Sequence, residues 1–300
     1  MMPSEGTVAG LVERSAAAYV RAVPDQPADD GFFGPASVTW RVSADLSAPV
    51  AGLRSLLMQA LHPLAMAGVD QHSDWRRDPV GRLAATTAYE ATVTFGDRAT
   101  ATRAAERVKA IHEHVRGVDT VTGQPYAAGD CPLLLWVHVA LVDSGLAAAD
   151  LIGTPLTGAE ADAYVGEMRI AAELLGVPHE QVPGTVADMR AYIEGVRPEL
   201  RCTPAAAESM GYLLDPPGLD EDIADLWQDI RDAAVLSLPG WARELYGYAE
   251  PPPLTDERRI GIRQALGILD AVFMGEPGVV EARQRLTLRT RLARSEGTDG

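Results

Sequence analysis

An all-α fold is what this 300-residue sequence predicts, and three observations carry the prediction. From Ala48 onward, apolar residues recur three and four positions apart, the spacing that lines one face of a helix. Pro, Gly or Asp breaks interrupt that pattern at helix-length intervals. No alternating apolar/polar run of convincing length and no internal repeat are present, which disfavours a β architecture or a solenoid. With 47% hydrophobic and 23% charged residues, the chain has the composition of an ordinary globular protein with a substantial core.

Taken in order, a first helix is expected over Gly6–Ala22. The stretch from Pro24 to Pro49 is rich in Pro, Gly, Asp and Ser and reads as a connection, with Val38–Val42 briefly extended. Breaks near 63, 79, 96–97, 117–132, 153–158, 176–184, 197–204, 215–219, 239 and 250–253 then delimit roughly nine or ten helices. Asp78–Pro79 is a strong helix start, and a further helix spans Asp97–Arg116. The last helices carry Arg283, Arg285, Arg289, Arg291 and Arg294, which read as a solvated basic face. No boundary divides the chain, so residues 1–300 are expected to form one helical domain.

A formal net charge of −16 argues against nucleic acid as a partner, because that affinity rests on clustered Lys and Arg. A bilayer-spanning helix needs roughly 18–20 apolar residues in a row. The best stretch, Cys131–Val142, is bounded by Asp130 and Asp143, so no membrane span is expected. The N-terminus lacks a basic region followed by an apolar one, and a cytoplasmic location is the expectation. Cys131 and Cys202 are too few for a disulfide framework.

Six histidines are present: His62, His72, His112, His114, His138 and His179. None falls in an H-E-x-x-H, Glu-x-x-His or C-x-x-C arrangement, so no local metal cluster is encoded. On the Asp97–Arg116 helix, Ala101, Ala105, Val108, His112 and Val115 share a stripe, and His114 points about 200° away from His112. His112 thus faces the core, either as a ligand or as a hydrogen-bonded core residue. On the preceding helix Arg82, Thr86, Tyr89 or Glu90, and Val93 lie along one side. Arg82 and Thr86 either hold an anionic group together or form a cross-helix salt bridge with a packed threonine.

The run Leu56–Thr86 (LLMQALHPLAMAGVDQHSDWRRDPVGRLAAT) is followed by FGD at Phe95–Asp97, IHEHVRG at Ile111–Gly117 and GQPYAAGDCPLLLWVHVAL at Gly123–Leu141. Together with VTW ending at Trp40, these motifs resemble the MpaB / latex-clearing-protein (rubber oxygenase) family. The similarity covers most of residues 38–200 in order, and helices over 204–294 would pack on that core. The resemblance implies a partly globin-like helical bundle around haem b, with His112 as the iron's axial ligand. It also implies that Arg82 and Thr86 lie near the haem, and that His62 and His72 are distal or second-layer catalytic candidates. His138 matches a further position in the haem pocket, where a core histidine bonded to a backbone carbonyl is the alternative.

Rubber-cleaving members carry a lysine just before the threonine, able to cap the iron's sixth position. This sequence has Ala85 there. Its single lysine, Lys109, sits one turn before His112 and so on the wrong side of the haem to act as that cap. The expected activity is an O₂-dependent oxidation of a small, apolar organic molecule. Alternatives are a haem-binding sensor or carrier, and a haem-less helical scaffold.

Overall fold

The computed structural model describes residues 14, 16, 17, 20–216, 221–248, 254–273 and 277–296, so most of the expected helix Gly6–Ala22 lies outside the described residues. In chain order come α1 (Val38–Ser43), α2 (Ala48–Ala60), α3 (Pro63–His72), α4 (Pro79–Phe95) and α5 (Arg98–His112). A small hairpin of β1 (Arg116–Val118) and β2 (Pro125–Ala127) leads into α6 (Cys131–Leu151), α7 (Gly158–Leu174), α8 (Val186–Val196) and α9 (Pro204–Leu214). The chain continues with α10 (Glu221–Ser237), α11 (Gly240–Leu245), α12 (Asp256–Phe273) and α13 (Pro277–Glu296). The all-α prediction holds.

Helix starts fall where the sequence offers oxygen acceptors for the first free N–H groups. Asp78 accepts from Gly81 and Asp97 from Thr100, Thr157 and Glu160 form a reciprocal capping box, and Thr203 caps α9. The core has two halves divided by α6. On one side α2 runs along α6 and is covered by α10 and α12, burying Leu57, Trp136, Ile230 and Leu266. On the other, α7 and α8 bury Leu135, Val139, Met168 and Met189. α4 packs on α5 and α1, whereas its approach to α6 is at most marginal among the described residues.

Three expectations need correction. Val38–Ser43 is helical rather than extended: Ser37 accepts from Trp40 N, and the Glu167 carboxylate of α7 accepts from Val38 N, Thr39 N and the Thr39 hydroxyl. That distant carboxylate satisfies the helix's first donors, a contribution invisible in a β-branched local sequence. The helix expected to reach Arg116 stops at His112, because Arg116–Val118 pairs antiparallel with Pro125–Ala127 and places Gly117 opposite Tyr126. Strands of three residues are too short to show alternation in sequence.

As the breaks near 117–132 and 153–158 predict, α6 runs 21 residues straight through Asp143. It is the one helix among the described residues long and apolar enough to cross a membrane, and 61% of its apolar window is buried inside the protein. Asp143 is tolerated because buried Arg54 on α2 pairs with it at 2.6 Å and donates to Ser144 Oγ at 2.6 Å. Finally, the basic run on α13 is not simply solvated. Arg285 donates to Val23 O, and Arg289 stacks 4.8 Å from the Trp40 ring while pairing with Asp30 at 2.7 Å. Both side chains are largely covered, so this helix clasps the segment before α1.

Candidate functional site

The face of α4 that carries Arg82 and Thr86 begins at a well-defined start, with Asp78 capping Gly81 N. Thr86 Oγ1 donates to Arg82 O at 3.1 Å and accepts from Arg82 Nη1 at 3.3 Å, so the two side chains form a pair within one helix. Among the described residues no carboxylate lies within ion-pair distance of Arg82, which removes the cross-helix salt bridge as an explanation for it. The Arg82 side chain is exposed, and the protein around it lowers its pKa by partial desolvation. Arg82 thus presents its charge without a counter-ion among the described residues.

His112 is the last residue of α5 and is half-buried, whereas His114 is exposed and its Nδ1 lies 2.9 Å from Ala110 O. The core-facing assignment of His112 therefore survives the earlier end of the helix. Among the described residues its ring makes no hydrogen bond, unlike a satisfied core histidine. Burial lowers its pKa, and the positive charge of Arg82 lowers it further. Both effects favour the neutral imidazole, the form with a lone pair to offer a metal. Arg82, Thr86 and His112 thus come together at one end of α4.

His138 projects from α6, is 9% exposed, and is pushed down to about 4 by burial alone. No bond to a backbone carbonyl holds it among the described residues, so the alternative offered for it in the sequence does not apply. The two remaining candidates sit elsewhere. His62 precedes α3, its buried ring 6.3 Å from that of Trp136 and its Nε2 4.0 Å from Glu199 Oε2, while its Nδ1 has no partner. Trp136 and His138 are two positions apart on α6 and point about 200° away from one another, so His62 contacts the opposite face of that helix. No hydrogen bond or ion pair joins His62 or His72 to Arg82, Thr86 or His112 among the described residues.

His72 is exposed at the end of α3, in edge-to-face contact with Tyr126 at 6.2 Å. Val115 packs where a side chain on Gly68 would lie, so the end of α3 borders the end of α5. Lys109 turns away towards the end of α7, its Nζ 4.0 Å from the Cβ position of Gly176. The site also contains residues that the sequence reading placed on the right side of α4 but gave no role: Tyr89 and Glu90. The four-residue step Arg82–Thr86–Glu90 was the available signal.

The donor set suits a metal that brings its own equatorial ligands. Among the described residues no group of three or more His, Cys, Asp or Glu could hold a bare ion. One neutral histidine, an uncompensated Arg–Thr pair for an anionic edge and an unbonded buried histidine on the far helix are what a haem with its propionates needs. The residues therefore fit the group that the sequence resemblance implied. Compared with known families, residues 40–271 match the model described as "ER-bound oxygenase mpaB/B'/Rubber oxygenase, catalytic domain". No curated protein and no solved structure matches the chain.

Proposed function

Because the chain belongs to the mpaB/rubber oxygenase catalytic-domain family, an oxygenase family, we propose that it is a haem-b-dependent oxygenase acting with O₂ on a small, largely apolar organic molecule. The observation that carries the haem assignment is the pairing of a neutral, half-buried, unbonded His112 with the counter-ion-free Arg82. His112 would supply a nitrogen ligand to the iron. Arg82 and Thr86 would hold a propionate by one charge-assisted and one hydroxyl hydrogen bond. When bound, haem supplies the iron at which O₂ is activated.

The chain's own residues set the surroundings of that chemistry. Burial, and then the charge of Arg82, favour the neutral form of His112, which leaves the ring available as a ligand. His138, neutral for the same reason of burial, adds a polar atom to an otherwise apolar helix face without adding charge. Leu134 and Leu141 flank His138 on α6 and exclude water from that side. His62, buried against Trp136, serves the packing between α3 and α6, whereas His72 is the better placed of the two to meet a reactant.

The absorption spectrum of protein purified from haem-supplied cells tests this reading. A Soret band from non-covalently bound haem b is expected, since the sequence has no C-x-x-C-H attachment motif. Colourless protein would overturn it. Substrate-dependent O₂ consumption by the haem-loaded protein then separates an oxygenase from a haem carrier.

A further inference from the structure

Seven large apolar side chains stand exposed among the described residues, and three of them, Ile111, Val118 and Val121, lie between the last turn of α5 and the tip of the hairpin that follows. They are 57%, 54% and 50% exposed, and the local structure holds them outward. A side chain on Gly117 would meet the Tyr126 hydroxyl at 2.8 Å and Gln71 Oε1 at 2.9 Å, so that side of β1 faces α3. Strand alternation then turns Arg116 and Val118 to the opposite, solvent side, where Val118 pairs with exposed Pro125. In the turn beyond, buried Asp119 accepts from Val121 N at 3.2 Å and Thr122 N at 2.8 Å, and Asp119 N donates to Gln124 O at 2.9 Å. These bonds occupy the turn's polar groups within it, while Thr120, Val121, Gly123 and Gln124 project into solvent.

α5 adds a stripe that runs to the same end. Arg103, Arg107 and Ile111 follow one another at four-residue steps along one side of the helix, and all three are exposed. Glu106 lies about 100° round the helix from Arg107. On the hairpin, Arg116 donates through Nε and Nη2 to Glu113 O at 3.1 and 2.8 Å, which fastens the outer side of β1 against the turn that ends α5. The stripe and the hairpin therefore adjoin. Among the described residues no carboxylate lies within ion-pair distance of Arg103, Arg107 or Arg116. Uncompensated guanidinium groups thus flank the exposed aliphatic side chains, on a chain whose formal net charge is −16.

Apolar tips set among unpaired cations complement an anionic lipid surface, whose phosphates take the guanidinium groups and whose acyl region takes the aliphatic side chains. Two copies of a chain this acidic repel one another, and a projecting turn offers no groove to a peptide. The remaining acidic surface does not cancel the local attraction, because salt limits its reach to about 8 Å. We propose that the Arg103–Arg107–Ile111 stripe and the outer side of the hairpin, with Arg116, Val118 and Val121, dock the protein peripherally on an anionic bilayer. Docking depends on these side chains and not on haem. Together with the oxygenase reading above, it brings the end of α5 that bears His112 to the membrane, where an apolar substrate dissolves.

Co-sedimentation of the purified full-length protein with vesicles tests the idea. Vesicles of phosphatidylcholine with about one-third phosphatidylserine should bind it, pure phosphatidylcholine should bind it far less, and added salt should weaken the binding. Arg103→Gln and Arg107→Gln should each lower the partition coefficient about fivefold, and Val118→Ser with Val121→Ser about tenfold. All four positions are exposed, so melting temperatures should stay level. Arg190→Gln, at an exposed position on α8, is the control and should leave binding unchanged. Val121→Trp should add fluorescence that shifts to the blue on addition of the anionic vesicles. Equal binding to both lipids, no binding to either, or full binding in the arginine or the valine variants would overturn the proposal. A concentration-dependent dimer in analytical ultracentrifugation, lost in the valine variant, would also overturn it and assign the surface to a second copy. Protein that carries haem but ignores anionic vesicles would sink this inference alone, whereas colourless protein that binds them would sink the haem reading and keep the docking surface.

Discussion

At the scale of single residues, the site depends on which histidine turns inward. His112 and His114 are two positions apart, and only His112 is shielded from solvent and faced by Arg82. His112→Ala should therefore remove or severely weaken haem retention, while His114→Ala leaves it nearly unchanged, as measured by the Soret-to-protein absorbance ratio. Equal loss in the two variants would show that the turn after α5 is misplaced. Arg82 is a different case, because it has no carboxylate to lose. Its side chain is exposed, so Arg82→Ala should leave the melting temperature of haem-free protein nearly unchanged while lowering haem content. Thr86→Ala should act in the same direction and more weakly, since the hydroxyl supplies one neutral hydrogen bond worth about 1 kcal/mol. A large fall in melting temperature with full haem occupancy would assign both residues to packing instead.

At the scale of elements, α6 shows how a helix can be apolar enough for a bilayer and still serve as a central strut. Asp143 sits two-thirds along it, paired with Arg54, whose side chain is only 3% exposed and which also donates to Ser237 O. The pair ties α2, α6 and the end of α10 together. Asp143→Ala strands a buried guanidinium and should destabilise the fold by about 3 kcal/mol, read from chemical denaturation. Arg54→Met, which removes the charge and fills the space, should cost clearly less. The same helix marks the limit of what the sequence disclosed. Asp143 reads as the end of an apolar segment because the residue that neutralises it lies 89 positions away. Glu167 acts similarly on α1: its carboxylate caps a six-residue helix that local propensity would leave extended. Where the determinant was local, as with the Asp78, Asp97 and Thr157 caps or the stripe Ala101–Ala105–Val108–His112, the sequence located the element and its buried face. His62 and His72 stand at motif positions of similar weight, yet only the packing of Trp136 and Tyr126 separates one from the other. Glu90 was visible as a position on α4, whereas the rise of its pKa to about 7 comes from the folded surroundings.

At the scale of the whole molecule, burial gives two titrating groups, one on α4 and one on α6, opposite effects on stability. His138 falls from 6.5 in the unfolded chain to about 4 in the folded one. Between those values the unfolded chain holds a proton that the native state does not, so this group's contribution is full above pH 6.5 and is lost as pH falls towards 4. Glu90 rises from 4.5 to about 7. Its native form holds a proton that the unfolded chain has released, so its contribution is full below pH 4.5 and is lost as pH climbs through 7. Over the shared window, from pH 4.5 to 6.5, the two slopes oppose one another and the wild type shows little net dependence from this pair. Single replacements should uncouple them. Relative to wild type, Glu90→Gln leaves His138 uncompensated and its stability should rise with pH across that window. His138→Phe leaves Glu90 uncompensated and should show the reverse. One proton corresponds to at most about 1.4 kcal/mol per pH unit, and the residual accessibility of Glu90 makes its slope the shallower. Urea denaturation of the three haem-free proteins at pH 4.5, 5.5 and 6.5 measures both differences against the same background of other groups. Parallel curves for all three would mean that neither side chain is shielded from solvent in the folded protein.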